Sequence, residues 1–222
     1  MKEIPVLQNI LRANEELAGQ VRRRLAEAGV VAFNLIGSPG AGKTSLLERT
    51  VPCLRADLRV AAIEADCATA RDAERVRALG IEVLQINTGK GCHIPAHLVL
   101  QALDNLALGE ADLLLIENVG NLVCPSELDL GETAKIAVIS VPEGDDKPQK
   151  YPMLFRQCEA VVLNKIDLIS HTPFSRERFE SDLRAVNPQV PLFAVSCRTG
   201  EGIDAWAGWA RERVRAAGTG RI

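Results

Sequence analysis

The 222-residue chain lacks the features that mark most specialised classes. It has no excess of one charge: 26 basic against 29 acidic residues leave a formal net charge of -3. That balance argues against the clustered basic excess a nucleic acid or other polyanion requires. No run reaches the length of about eighteen apolar residues that a membrane helix needs. The N-terminal stretch MKEIPVLQNILRANEELAG breaks its apolar positions with Glu3, Arg12, Glu15 and Glu16, so it reads as neither signal peptide nor membrane span. A cytoplasmic protein that contacts no membrane is the expectation. Repeats and low-complexity tracts are also missing. The six cysteines show none of the spacing of a small disulfide scaffold, which leaves them as thiols, metal ligands or core fillers.

What is present is an ordinary globular balance, 47% hydrophobic and 25% charged, at a length that suits one α/β domain. Ile4, Leu7, Ile10, Leu11, Leu17, Val21 and Leu25 recur at helical steps, and Gly29 ends that pattern. Residues 1–29 are thus predicted to be an N-terminal helical extension, and 30–222 the main domain. Seven short apolar runs follow, at 30–36, 59–65, 82–87, 112–118, 135–141, 160–165 and 191–196, separated by helical stretches. Near-continuous apolar strands of this kind predict a three-layer α/β fold whose mostly parallel sheet is buried on both faces. Ligands of such sheets sit at the carboxyl ends of the strands, so the residues just after each run carry the chemistry.

The first run ends in GSPGAGKT, which is Gly37, Ser38, Pro39, Gly40, Ala41, Gly42, Lys43 and Thr44, with Ser45 opening a helical stretch. This is the phosphate-loop pattern in its strand–loop–helix context. Glycines let backbone N–H groups turn inward around phosphates, Lys43 supplies a point charge to the β- and γ-phosphates, and the Thr44 hydroxyl can coordinate Mg²⁺. The sixth run ends in NKID, with Asn164, Lys165 and Asp167. A carboxylate here accepts from both N1–H and the exocyclic amine of guanine, a donor pair adenine lacks. The Lys165 stem can lie along the base, and backbone N–H groups of Ser196 and Cys197, in SCRTGEG, are expected to meet guanine O6. GTP and GDP are therefore the predicted nucleotides. Two acidic strand ends complete the expected catalytic and Mg²⁺ set: Asp66, and Glu117 in ENVG, with Gly120 placed to donate its N–H to the γ-phosphate. Asn121 stands where a water-orienting glutamine would follow that glycine, which predicts slow intrinsic hydrolysis.

The metal ligands come from TGKGCHIPAH and NVGNLVCPS. Cys92 and His93 follow the third run and Cys124 the fourth, at one edge of the sheet. A Cys, His, Cys set suits Zn²⁺ or Ni²⁺, not Mg²⁺. His97 lies one helical turn after His93 and is a possible fourth ligand. Pro95 is expected in the first turn of a helix, and Pro125 to hold Cys124 extended. Adjacent residues rarely point the same way, which favours a bridge across a two-fold dimer. Cys53 and Cys158 read as core or surface thiols, and Cys67 and Cys197 as residues of nucleotide-facing loops. Cys124 lies only four residues beyond Gly120, on the segment expected to move when the γ-phosphate leaves.

In order and spacing, GSPGAGKT, TGKGCH, ENVGNLVCP and NKIDL resemble the hydrogenase nickel-incorporation GTPase family (HypB) over essentially the whole chain. The resemblance implies a P-loop GTPase that dimerises on GTP binding and helps load nickel into nickel–iron hydrogenase. It further implies maturation partner proteins, the hydrogenase large subunit as acceptor, and Cys92, His93 and Cys124 as a dimer-interface metal site. Some relatives carry an N-terminal Cys motif or His-rich tract; residues 1–30 here contain neither Cys nor His, which leaves the switch-linked site as the candidate. Three rival readings remain at this point. A urease accessory GTPase would carry a Cys-Pro-His motif in place of GKGCH. A GTP-gated scaffold would hold structural zinc. A mutase-chaperone GTPase would leave the soft ligands unexplained.

Overall fold

Strands buried on both faces need apolar side chains at every position, and all seven apolar runs become strands. They are β1 (Val31–Ile36), β2 (Val60–Asp66), β3 (Glu82–Asn87), β4 (Leu113–Glu117), β5 (Ala134–Ser140), β6 (Ala160–Asn164) and β7 (Leu192–Ala194). The computed structural model describes residues 6–66, 71–89 and 91–218. All strand pairs are parallel, in the order β3-β2-β4-β1-β5-β6-β7. Every residue of β1, β4 and β6 is buried, whereas β3 at the sheet edge is only partly covered. No described helix is long and apolar enough to cross a membrane.

The helices are α1 (Val6–Ala28), α2 (Lys43–Leu54), α3 (Arg71–Arg77), α4 (Ala96–Leu103), α5 (Cys124–Glu127), α6 (Lys147–Lys150), α7 (Pro152–Gln157), α8 (Arg176–Val186) and α9 (Ile203–Gly218). One face of the sheet packs Phe33, Leu35 and Leu115 against Leu47 and Val51 of α2 and Trp206 of α9. Trp206 also donates its indole N–H to Thr50 Oγ1 at 3.0 Å, so its one polar atom is satisfied inside the core. The opposite face packs Ala32, Ile63 and Ile116 against Val21 of α1 and Val99 of α4. Leu154, Phe155 and Phe179 close a third cluster over β5 and β6. At Gly29 (φ +65°) the chain takes the left-handed turn that ends α1.

Because all strands run the same way, the loops after all seven emerge along one edge. Two elements there differ from expectation. Pro95 (φ -82°, ψ 153°) caps α4 from outside instead of starting it. Cys124 opens the one-turn helix α5 in place of an extended segment. Proline is tolerated in a first helical turn, where its missing N–H has no partner to lose, and here that preference outweighs the extended bias on its predecessor.

Candidate nucleotide and metal sites

Gly40 (φ +78°) and Gly42 (φ +93°) take left-handed conformations in the loop between β1 and α2. A Cβ on Gly42 would also collide with Asn164 Nδ2. The loop therefore needs glycine there twice over, for its backbone and for its neighbour. Lys43 is 7% exposed, and its ammonium donates to the carbonyls of Gly37 at 3.1 Å and Ser38 at 3.4 Å. Burial lowers its pKa, against the pull of Glu117.

Thr44 Oγ1 donates to Glu117 Oε1 at 2.8 Å, joining the start of α2 to the end of β4. Glu117 is 5% exposed, and its Oε2 has no hydrogen-bond partner. Burial raises its pKa to about 7, with Lys43 and Thr44 opposing. A buried carboxylate oxygen without a donor, beside a threonine hydroxyl, is a hard-oxygen donor set that fits Mg²⁺. Asp66 ends β2 in register with Asn87; its side chain and Cys67 lie outside the described residues.

Lys43, Thr44, Glu64, Asp72, Arg75 and Glu117 line a cavity of about 460 Å³. Asp72 and Arg75 have a sequence signal only in hindsight: an acidic and a basic residue three apart on the helix after β2. Arg75 donates to Asp72 at 2.7 Å, Glu48 at 2.7 Å and Ser45 Oγ at 3.2 Å, holding its guanidinium at the cavity rim. Gly42, Ser45 and Lys165 belong to this cavity and also to an adjoining one of about 650 Å³, lined by Asp167, Leu168, Cys197 and Arg198. The joined trough has a phosphate-loop end and a carboxylate end, as a nucleotide requires.

At the carboxylate end, Asp167 Oδ1 accepts the Ser196 hydroxyl at 2.6 Å. Lys165 takes φ +63°, and its Nζ donates to the Gly40 carbonyl at 2.6 Å, so its stem crosses the trough. Asn164 works as a strut. Its Nδ2 holds the Ala41 carbonyl at 3.0 Å, while its Oδ1 accepts the N–H groups of Lys165 at 2.7 Å and Cys197 at 3.2 Å. The Ser196 N–H is engaged as well, by the Glu201 carbonyl at 2.9 Å. These two amides, expected to meet guanine O6, are thus spent on the loop's own architecture. The Ser196 hydroxyl faces the trough's aspartate, as its bond to Asp167 shows. Burial pushes the Cys197 thiol up to about 11 and the core thiol Cys158 up to about 12.

Cys92, His93 and Cys124 bring one ligand atom each to within 4.8 Å of one another, inside a single protomer. Cys92 Sγ lies 3.4 Å from His93 Nδ1, so these neighbours do point the same way, against expectation. The turn explains it: Gly89 (φ +60°) and the Gly91 N–H to Thr88 carbonyl bond (2.9 Å) fold the chain back before Cys92. Partial burial lowers the His93 pKa, which favours the neutral imidazole a metal needs. His97 is exposed on α4 and stands outside the cluster. None of the described cysteines is in a disulfide.

Sequence reasoning missed the asparagines around this cluster. Asn118 Oδ1 accepts the Ile94 N–H at 3.2 Å, and Asn14 of α1 accepts the Ala96 N–H at 2.9 Å. They hold the N–H groups of the two residues on either side of Pro95, which has no N–H of its own. Asn118 in turn donates to Asn34 Oδ1 at 3.1 Å, and Asn34 to Glu132 Oε1 at 3.1 Å. A side chain that bonds backbone leaves no periodic trace in a sequence.

A phosphate loop after β1, a carboxylate at the end of β4 and an aspartate after β6, on an all-parallel sheet, define a P-loop nucleotide-binding protein. The match to the nucleotide-binding domain of CobW/HypB/UreG spans residues 31–194. The chain belongs to that family, in its HypB branch of hydrogenase maturation factors. It is 47% identical over 206 residues to hydrogenase maturation factor HypB of Rhizobium leguminosarum bv. viciae, covering 93% of this chain and 69% of that relative. It is 42% identical to the probable hydrogenase maturation factor HypB of Methanocaldococcus jannaschii, covering 90% and 91%. The crystal structure of HypB from Helicobacter pylori in complex with nickel superposes with a TM-score of 0.87 at 36% identity, covering 92% and 96%.

Proposed function

We propose that the chain is a slow GTPase that acts as a metallochaperone, helping to insert nickel during hydrogenase maturation. One juxtaposition carries the reading. Three soft ligand atoms lie within 4.8 Å of one another, and one of them, Cys124, ends the segment that starts at Glu117 beside the phosphate loop. In this reading Asp167 accepts from guanine, with Lys165 along the base and Asn164, Ser196 and Cys197 shaping its pocket. Backbone N–H groups of 37–45 and the Lys43 ammonium hold the phosphates. Thr44 and Glu117, with Asp66, would hold Mg²⁺, which would supply charge neutralisation to the phosphates. Gly120 senses the γ-phosphate through its N–H. Asn121 offers no glutamine to orient the attacking water, so hydrolysis is slow.

The cargo is Ni²⁺ on Cys92, His93 and Cys124; Zn²⁺ suits the same donors. Three donors leave a position open on a four-coordinate ion, and an open position is what transfer requires. Among the described residues no fourth Cys, His or carboxylate joins them, which weighs against a scaffold with closed structural zinc. GTP-dependent homodimerisation would set two such sites at one interface. The acceptor is the hydrogenase large subunit, reached with maturation partner proteins. We also read residues 1–29 as an extension of the G domain at 30–222. The discriminating test is nickel transfer to an apo-hydrogenase acceptor, with and without GTP, in wild type and Cys124→Ala. GTP-stimulated transfer that Cys124→Ala loses supports the reading, and equal transfer with and without GTP refutes it.

A further inference from the structure

Asn121 touches three parts of the site at once. Its backbone N–H donates to the Gly37 carbonyl at 3.0 Å, at the start of the phosphate loop. Its Nδ2 donates to the Cys92 carbonyl at 3.2 Å. Its Oδ1 accepts the N–H of Val123, the residue before Cys124, at 2.9 Å. The two side-chain partners are opposite in kind, one acceptor and one donor, so the amide has a single satisfied orientation. The Gly37 carbonyl also receives Lys43 Nζ at 3.1 Å. The ammonium that a triphosphate draws toward itself therefore shares an acceptor oxygen with the Asn121 peptide.

The neighbours stiffen this connection. A Cβ on Gly120 would lie 2.8 Å from Pro39 Cγ and 2.9 Å from Pro39 N, so the 120–121 backbone rides directly on the phosphate loop. On the far side of His93, the buried Asn118 holds the Ile94 N–H. The peptides flanking His93 are thus each held by an asparagine of the 118–121 segment, and Asn121 alone of the two also reaches the Cys124 side.

We propose that Asn121 is the positioning residue that couples nucleotide state to metal affinity. When Lys43 turns to the phosphates and Gly120 engages the γ-phosphate, the Asn121 peptide shifts with the loop. Its amide carries the Cys92 carbonyl and the Val123 peptide along together, changing the separation of the two thiolates. The residue that stands in for a hydrolytic glutamine thereby serves the cargo site. This inference rests on the metallochaperone reading and deepens it.

The test is Ni²⁺ titration of the full chain, loaded with GDP or with a non-hydrolysable GTP analogue, against a chromophoric chelator. Wild type, Asn121→Ala and Asn121→Asp are compared, the last keeping the Val123 bond but setting a carboxylate oxygen against the Cys92 carbonyl. Wild type is expected to differ at least about fivefold between the two nucleotides, and both variants less than about twofold, with nickel still bound. The shift of the nickel–thiolate absorption band between nucleotide states disappears in step, while nucleotide affinity stays near the wild-type value. A wild-type ratio retained in both variants overturns the inference alone. Loss of nickel by both variants in both nucleotide states overturns it too, by making Asn121 part of the site's frame. A wild-type ratio of one refutes the coupling reading itself, and the role of Asn121 falls with it.

Discussion

Glu117 shows how one residue sets a condition on the whole site. Its carboxyl is raised by burial from an ordinary 4.5 to about 7, opposed by Lys43 and Thr44. A carboxyl whose folded-state pKa is raised contributes stability below the unfolded value, and loses that contribution as pH climbs through 4.5 toward 7. In the nucleotide- and Mg²⁺-free protein, thermal stability should therefore decline over this window, and Glu117→Gln should flatten that decline. Magnesium needs the carboxylate, so Mg²⁺ affinity should rise across the same window with release of a proton. Calorimetry in buffers of different ionisation enthalpy reads both effects. Asp167 makes a second prediction. Asparagine there keeps the acceptor for N1–H but offers an amine where the carboxylate accepted the guanine amine. Asp167→Asn should thus weaken GTP binding at least about tenfold and favour xanthosine triphosphate, whose C2 carbonyl accepts that amine. Competition between the two nucleotides measures it. The place of Asp167 in the trough was legible because it directly follows the apolar run that becomes β6. The partners of the Ser196 and Cys197 amides were not legible, because only coordinates reveal that Glu201 and Asn164 hold them here.

Elements were more legible than the joints between them. The seven strands stand out because each is buried on both faces and so reads as an unbroken apolar run, and α1 because its apolar positions follow the helical period. The loops hid their geometry. Nothing in GKGCH announces that Cys92 and His93 face the same way, since the turn that does it depends on Gly89 and on the Thr88–Gly91 bond. Nor does the sequence of α1 announce that Asn14 clamps the start of α4 and holds the Asp129 carbonyl at 2.7 Å. Asn14→Ala strands a buried N–H and a carbonyl, which should cost about 1–3 kcal/mol in denaturant unfolding. Because the clamp lies three residues from His93, the variant should also weaken nickel binding. Asn105→Ala, which removes a bond within an exposed helix end, should do neither.

At the scale of the molecule, the parallel sheet brings seven loops to one edge, and the order β3-β2-β4-β1 sets the loops of Cys92 and Cys124 either side of β2. The segment from Glu117 to Cys124 then runs from the buried carboxylate beside Thr44 to the Cys92–His93–Cys124 cluster within a few residues, touching the phosphate loop at Gly120 and Asn121. A conformational change confined to this segment would reach both sites, which gives the proposed link between GTP and nickel a mechanical basis. Linkage is reciprocal: whatever GTP does to nickel affinity, nickel does to GTP affinity. The most direct measurement is calorimetric titration of a non-hydrolysable GTP analogue into the protein, with and without saturating Ni²⁺. Affinities should differ at least about fivefold, with the difference abolished in Cys124→Ala. Equal affinities with and without nickel would contradict it.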